Sequence, residues 1–139
     1  MGPFEERLNS AWWVLRIGLG LGAVVAGADK FTNLLANWSM YLSPLAERLL
    51  PVSGAAFLRA AGVAEVLVGI AILTRFTLLG ARALSLWLLA IAANLAASGN
   101  FWDLAFRDVE IALSAFALGQ LTAWRAATWR REPSLGAKS

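Results

Sequence analysis

Residues 62–73 read GVAEVLVGIAIL. Every position is apolar or glycine except one, Glu65. A carboxylate inside such a run needs a partner, because an isolated buried charge is strongly disfavoured. Whether the run lies in a protein core or in lipid therefore decides the fold.

Working outward, the run extends to 55–73, AAFLRAAGVAEVLVGIAIL, and three further apolar segments accompany it at 11–28, 76–97 and 104–124. Each is close to the ~20 residues a helix needs to cross ~30 Å of hydrocarbon. They are too long and too uniformly apolar for the ~10-residue alternating strands of a membrane barrel. The chain has 139 residues and is 59% hydrophobic, against about 45–50% for soluble domains. A chain this short has too little interior for that much apolar side chain.

The expected fold class is all-α, an integral membrane four-transmembrane-helix bundle over 11–124. A short terminus (1–10) precedes it, an outer loop (29–54) joins the first two helices, and a basic tail (125–139) follows. The fourth segment opens on a charged stretch, FRDVE at 106–110. The AGA at 26–28 imitates a signal-peptidase site, but Arg16 and the three later segments favour an uncleaved helix. Arg7, Arg75 and the arginines of the tail outweigh Lys30, Arg48, Arg59 and Arg107, which places both termini in the cytoplasm. Within the loop, SPLAERLLP (43–51) suits a short interfacial helix, with Pro44 in its first turn and Pro51 after its end. Trp12, Trp13, Trp124 and Trp129 fall at the inner interface, and Trp38 and Trp102 at the outer one. Trp87 falls mid-segment, where it packs, meets lipid or offers a stacking surface to a planar ligand.

Small residues recur at helical spacing: Gly18, Gly22 and Ala26; Gly62 and Gly69 with Glu65 between them; Asp108, Ala112, Ala115 and Gly119. Such faces let helices approach closely in lipid, and they turn Glu65 inward.

Polar groups converge on the outer half of the bundle: Asp29, Lys30, Arg59, Glu65, Asn94, Asp103, Arg107 and Asp108. Charges in a span are costly and mark function or pairing. Glu65 is expected to meet Arg107 or Lys30. The cluster then either locks helix register or forms an outward-opening pocket for a small ligand. Arg16 and Arg82 are expected simply to snorkel to the inner interface.

The chain has no Cys and no His. It can form no disulfide, thiolate nucleophile or zinc cage, and it offers haem no His or Cys ligand. Its basic residues form no nucleic-acid-binding pattern. The lipid bilayer is the first expected partner.

Three stretches carry a resemblance: GADKFTNLLANWSMYLSPL (27–45), GVAEVLVGIAILTRF (62–76) and NFWDLAFRDVEIALSAFAL (100–118). In order and spacing they resemble the DoxX family of small four-helix bacterial membrane proteins, across about Arg16 to Trp124. The resemblance implies the bacterial inner membrane and association with quinone-linked oxidoreductase and oxidative-stress systems. It makes Lys30, Glu65, Asp103, Arg107 and Asp108 family-motif positions without assigning them chemistry. The cofactor it implies is a quinone, with its head near Glu65, Asn94 and Arg107. The partners it implies are other membrane subunits or further copies of the chain. Two functions follow: a quinone-associated oxidoreductase component, or a non-catalytic accessory subunit of a larger respiratory or stress-response complex. An anion transporter ranks third, since no broken-helix pair or inverted repeat is visible.

Overall fold

The computed structural model describes residues 2–130. Four long helices carry the chain: α1 (Pro3–Thr32), α3 (Gly54–Leu73), α4 (Thr77–Ser98) and α5 (Trp102–Trp129). A 3-10 turn at Trp38–Tyr41 and the short helix α2 (Pro44–Leu49) lie in the α1–α3 connection. There is no strand among the described residues.

The end helices are longer than expected. Residues 1–10 were expected to precede the first helix, yet α1 starts at Pro3. Proline at the first position and Glu5 and Glu6 in the first turn favour that start. The outer loop was expected from residue 29, but Asp29 and Lys30 still belong to α1. The helix closes at Asn33, whose left-handed conformation (φ 51°) lets its N–H reach the Asp29 carbonyl at 2.7 Å. At the other end, α5 runs five residues past the expected boundary at 124. The remainder of the basic tail, 131–139, lies outside the described residues.

α1, α3 and α4 are each long and apolar enough to cross a membrane. α5 spans 28 residues but does not join that class. Asp103, Arg107, Asp108 and Glu110 crowd one end, and Gln120 and Arg125 interrupt the other.

Successive long helices run antiparallel and pack as two close pairs, α1 with α3 and α4 with α5, joined by the looser α3–α4 and α1–α5 contacts. Glycine sets the first pair. A Cβ built on Gly27 falls 2.5 Å from the Gly62 carbonyl oxygen, and one on Gly62 falls 2.7 Å from the Gly27 oxygen. One on Gly69 falls 2.7 Å from the Gly20 oxygen. The two backbones thus touch at both ends of a seven-residue repeat on each helix. The expected face of α1 is displaced: Gly18 and Gly22 face open space, and Gly20 and Gly27 form the seam. The faces expected of the second and fourth segments stand, with Gly62, Glu65 and Gly69 buried on α3 and Asp108, Ala112, Ala115 and Gly119 buried on α5. Alanine sets the second pair: Ala81, Ala112 and Ala115 are wholly buried, and Ser85 donates to the Ala112 carbonyl at 2.9 Å.

Arg16 has a structural role that snorkelling does not describe. Its guanidinium donates to the carbonyls of Ile72, Leu73 and Thr74 at 2.7–2.9 Å, closing the C-terminal end of α3. Thr77 donates to the Ile72 and Thr74 carbonyls beside it. Trp12, expected in the interfacial belt, is instead buried, with its indole N–H on Thr122 and two guanidiniums, of Arg16 and Arg125, within 5 Å of its ring. Arg125 also bonds Asn9 of α1.

Candidate functional site

The site lies at the opposite end, where the α1–α3 connection folds over the bundle. The glycine seam creates its first feature. Because Gly62 has no side chain, the Lys30 Cβ lies against it, 3.1 Å from where a Cβ would stand. Lys30 and Glu65 then meet, with Nζ 2.6 Å from Oε2 and both side chains almost fully buried. The other Glu65 oxygen accepts from the Trp87 indole N–H at 2.7 Å. Of the two expected partners of Glu65, Lys30 is the one present. Both oxygens of Glu65 are therefore committed.

Trp38 lies over this pair. The Lys30 ammonium is 3.7 Å from the centre of a Trp38 ring, a close cation–π contact. The Trp38 indole N–H in turn donates to Asp29 Oδ2 at 2.9 Å. Asp29 also accepts from the backbone amides of Leu34, Leu35 and Ala36 and from the Thr32 hydroxyl. Asp29 is thus an anchor for the connection, its carboxylate spent on three backbone amides, the Thr32 hydroxyl and the Trp38 indole. Asn94 plays the same part from α4. Its Oδ1 accepts from the Ser43 amide at 3.0 Å, and its Nδ2 donates to the Tyr41 carbonyl at 2.7 Å. Ser43 then caps α2 by accepting from the Ala46 amide.

Beneath this cover is a cavity of ≈ 210 Å³. Its walls are mostly apolar and aromatic, with Phe57 and Leu58 from α3, Trp87 and Ile91 from α4, and Tyr41 and Leu42 from the cover. Lys30, Asn94, Arg107 and Asp108 supply its polar groups. Asp108 is 5% exposed, and its Oδ1 accepts from the Arg107 Nε and Nη2 at 3.1–3.2 Å. The Arg107 side chain itself is largely exposed, at the rim.

The structure thus sorts the expected cluster. Lys30, Asn94, Arg107, Asp108 and Trp87 line the cavity. Glu65 stands behind it, reached through Lys30 and Trp87. Asp29 holds the cover. Arg59 and Asp103 are exposed and do not line the cavity, because they fall on the outward faces of α3 and α5. Glu65 itself does not line the cavity, whereas its partners Lys30 and Trp87 do. Sequence reasoning missed Trp38, Tyr41 and Ser43 as parts of the site. They come from irregular chain, where no periodicity announces which way a residue points. Among the described residues no group of Asp or Glu side chains is placed to hold a metal ion.

No family model, no curated protein and no solved structure matches this chain.

Proposed function

We propose that the chain is a multi-pass membrane protein of the bacterial inner membrane, DoxX-like, with a quinone headgroup site under its outer loop. The observation that carries this reading is a small, mostly apolar cavity with Lys30 and Arg107 among its lining residues. At ≈ 210 Å³ it is smaller than the ~300–1,000 Å³ of pockets for drug-sized ligands. That suits one ring with its tail outside. Aromatic walls from Trp87, Phe57 and Tyr41 suit the faces of a ring. Lys30 and Arg107 offer N–H donors to its carbonyl oxygens. The residues present therefore fit a quinone head.

In this reading Glu65 pairs with Lys30 and aims it, and Trp87 fixes Glu65 in turn. The chain supplies the site and its fixed charges. Without Cys or His, it leaves electron transfer to a bound organic cofactor or a partner subunit. α5 completes the membrane bundle as a fourth span, its apolar face out and its small residues in. Orientation follows from the basic residues: Arg7, Arg16, Arg75, Arg82, Arg125 and Arg130 stand at the end opposite the cavity, against Lys30, Arg48, Arg59 and Arg107 at the cavity end. The arginine-rich end faces the cytoplasm.

The second reading, an accessory subunit of a larger complex, has its own support. The cover exposes Leu34, Leu35, Met40, Leu45, Leu49 and Val52. An apolar surface this rich on a connecting segment suits a protein partner or the lipid interface.

Extraction of the chain from its native membrane in mild detergent, followed by mass spectrometry of proteins and lipids, separates the two. A bound quinone at near-equal stoichiometry supports the first. A stoichiometric protein partner with no quinone replaces it with the second.

A further inference from the structure

We propose that the cavity selects the hydroxyl-bearing, reduced form of its ring ligand, a quinol, and that Asp108 sets this preference. The inference rests on the quinone-site reading above and goes on to say which redox form is held.

The argument begins with what a quinone would need. Its oxygens only accept hydrogen bonds, so donors alone would serve it, and Lys30 and Arg107 are donors. Yet the wall also carries a carboxylate. Asp108 is 5% exposed. Arg107 donates only to its Oδ1, and no donor among the described residues reaches Oδ2. No buried side-chain nitrogen or oxygen among the described residues lacks a partner. The uncommitted oxygen is therefore one that free space reaches, and Asp108 lines the cavity.

An ionised carboxylate accepts and does not donate. Against a quinone carbonyl it would set two acceptors face to face and leave its own lone pairs unsatisfied. Against a hydroxyl it receives a hydrogen bond. The same hydroxyl oxygen still accepts from Lys30 or Arg107. Donors and an acceptor around one cavity thus match an O–H group better than a C=O group. Sites built to bond a hydroxyl discriminate strongly against analogues that lack it, because their buried polar groups are then left unpaired.

The test uses the full chain in phosphatidylcholine nanodiscs under anaerobic conditions. The probes are a short-chain alkylhydroquinone, the matching alkylquinone and the hydroquinone dimethyl ether. Trp38 and Trp87 line the cavity, so tryptophan emission, with empty nanodiscs subtracted, reads binding. The hydroquinone is expected to bind roughly 10–100-fold more tightly than the quinone or the ether, the scale of one hydrogen bond to a charged group. Asp108→Leu, which removes the acceptor, should bring the three ligands within about threefold of one another, a gap too small for such a bond. Glu110→Gln, on the outer surface of α5, should leave the preference unchanged. Equal binding of hydroquinone and ether by the native chain overturns the inference, and that arm needs no variant to fold. Retention of the preference in Asp108→Leu overturns it as well. If quinone binds and hydroquinone binds no better, the inference fails alone. If none of the three binds, the quinone-site reading fails with it.

Discussion

The Lys30 ammonium and the Glu65 carboxylate stand 2.6 Å apart, on neighbouring helices and almost wholly out of solvent. Neither charge is tolerable there without the other. Glu65→Leu should leave Lys30 unpaired and cost about 3–5 kcal/mol, the usual penalty for breaking a buried pair. Adding Lys30→Met should restore most of that loss, since an apolar pair of similar volume removes the orphaned charge. Chemical unfolding of the native chain and the two variants in one detergent measures this. If the double variant is as unstable as Glu65→Leu, the pair is not what couples α1 to α3 at this end.

The glycine seam predicts a contrast within one helix. Gly27→Ala puts a Cβ 2.5 Å from the Gly62 carbonyl oxygen, so α1 and α3 must separate. Gly22→Ala puts one in open space and should be neutral or stabilising by up to about 1 kcal/mol, the helix-propensity difference in water. Thermal unfolding should order them Gly22→Ala at or above the native chain, with Gly27→Ala well below. The reverse order would support the face expected from sequence, Gly18 and Gly22.

Removal of Arg16 should loosen the α3–α4 turn without reaching the cavity. Its guanidinium serves three carbonyls at the end of α3. Arg16→Met should cost roughly 1–3 kcal/mol, since three carbonyls, two of them part-buried, lose a charged donor. Proteolysis or hydrogen exchange should rise around Thr74–Phe76 and stay unchanged around Ser43. A uniform rise through the chain would instead mean that the variant unfolds globally.

The cover should respond to Asn94 in the opposite way. Asn94→Leu removes the bonds to Ser43 and Tyr41, worth about 1 kcal/mol each. Exchange of the Ser43 amide should accelerate while the α1–α3 seam stays protected. An unchanged Ser43 amide would show that the cover is held from elsewhere.

Orientation is open to a direct check, since the chain has no cysteine to remove. Glu47→Cys in α2 should react with a membrane-impermeant maleimide on intact cells, and Glu6→Cys in the first turns of α1 only after permeabilisation. The opposite pattern would invert the proposed topology.

The helices were legible because their signal is local. Apolar runs of membrane length and the small-residue repeats of 62–69 and 108–119 translate directly into elements and faces. The Lys30–Glu65 pair was half legible: burial demanded a cation, but sequence left Arg107 and Lys30 equally eligible. The choice was made by the seam, because the face of α1 that carries Gly20 and Gly27, rather than Gly18 and Gly22, meets α3 and fixes which side chains accompany it. A run such as GLGLGAVVAG offers glycine at nearly every register, so its pattern does not choose one. The cover was not legible in detail. Asp29 reads as a helix-terminal charge, and nothing in NLLANWSM announces that its amides and indole converge on that carboxylate. Arg16 was misread for a similar reason. An arginine near a helix end looks solvent-bound until the fold brings another helix's carbonyls to it.

The two anchors of the cover stand on different helix pairs. Asp29 belongs to α1 and grips residues 34–36; Asn94 belongs to α4 and grips residues 41 and 43. The chain between them therefore straps one half of the molecule to the other, across the boundary where packing is loosest. Backbone laid on backbone leaves the α1–α3 half nothing to flex internally. For any occupant of the cavity, residence time is then governed by how readily that strap slackens, so changes between residues 36 and 41 should alter the speed of exchange more than the strength of binding.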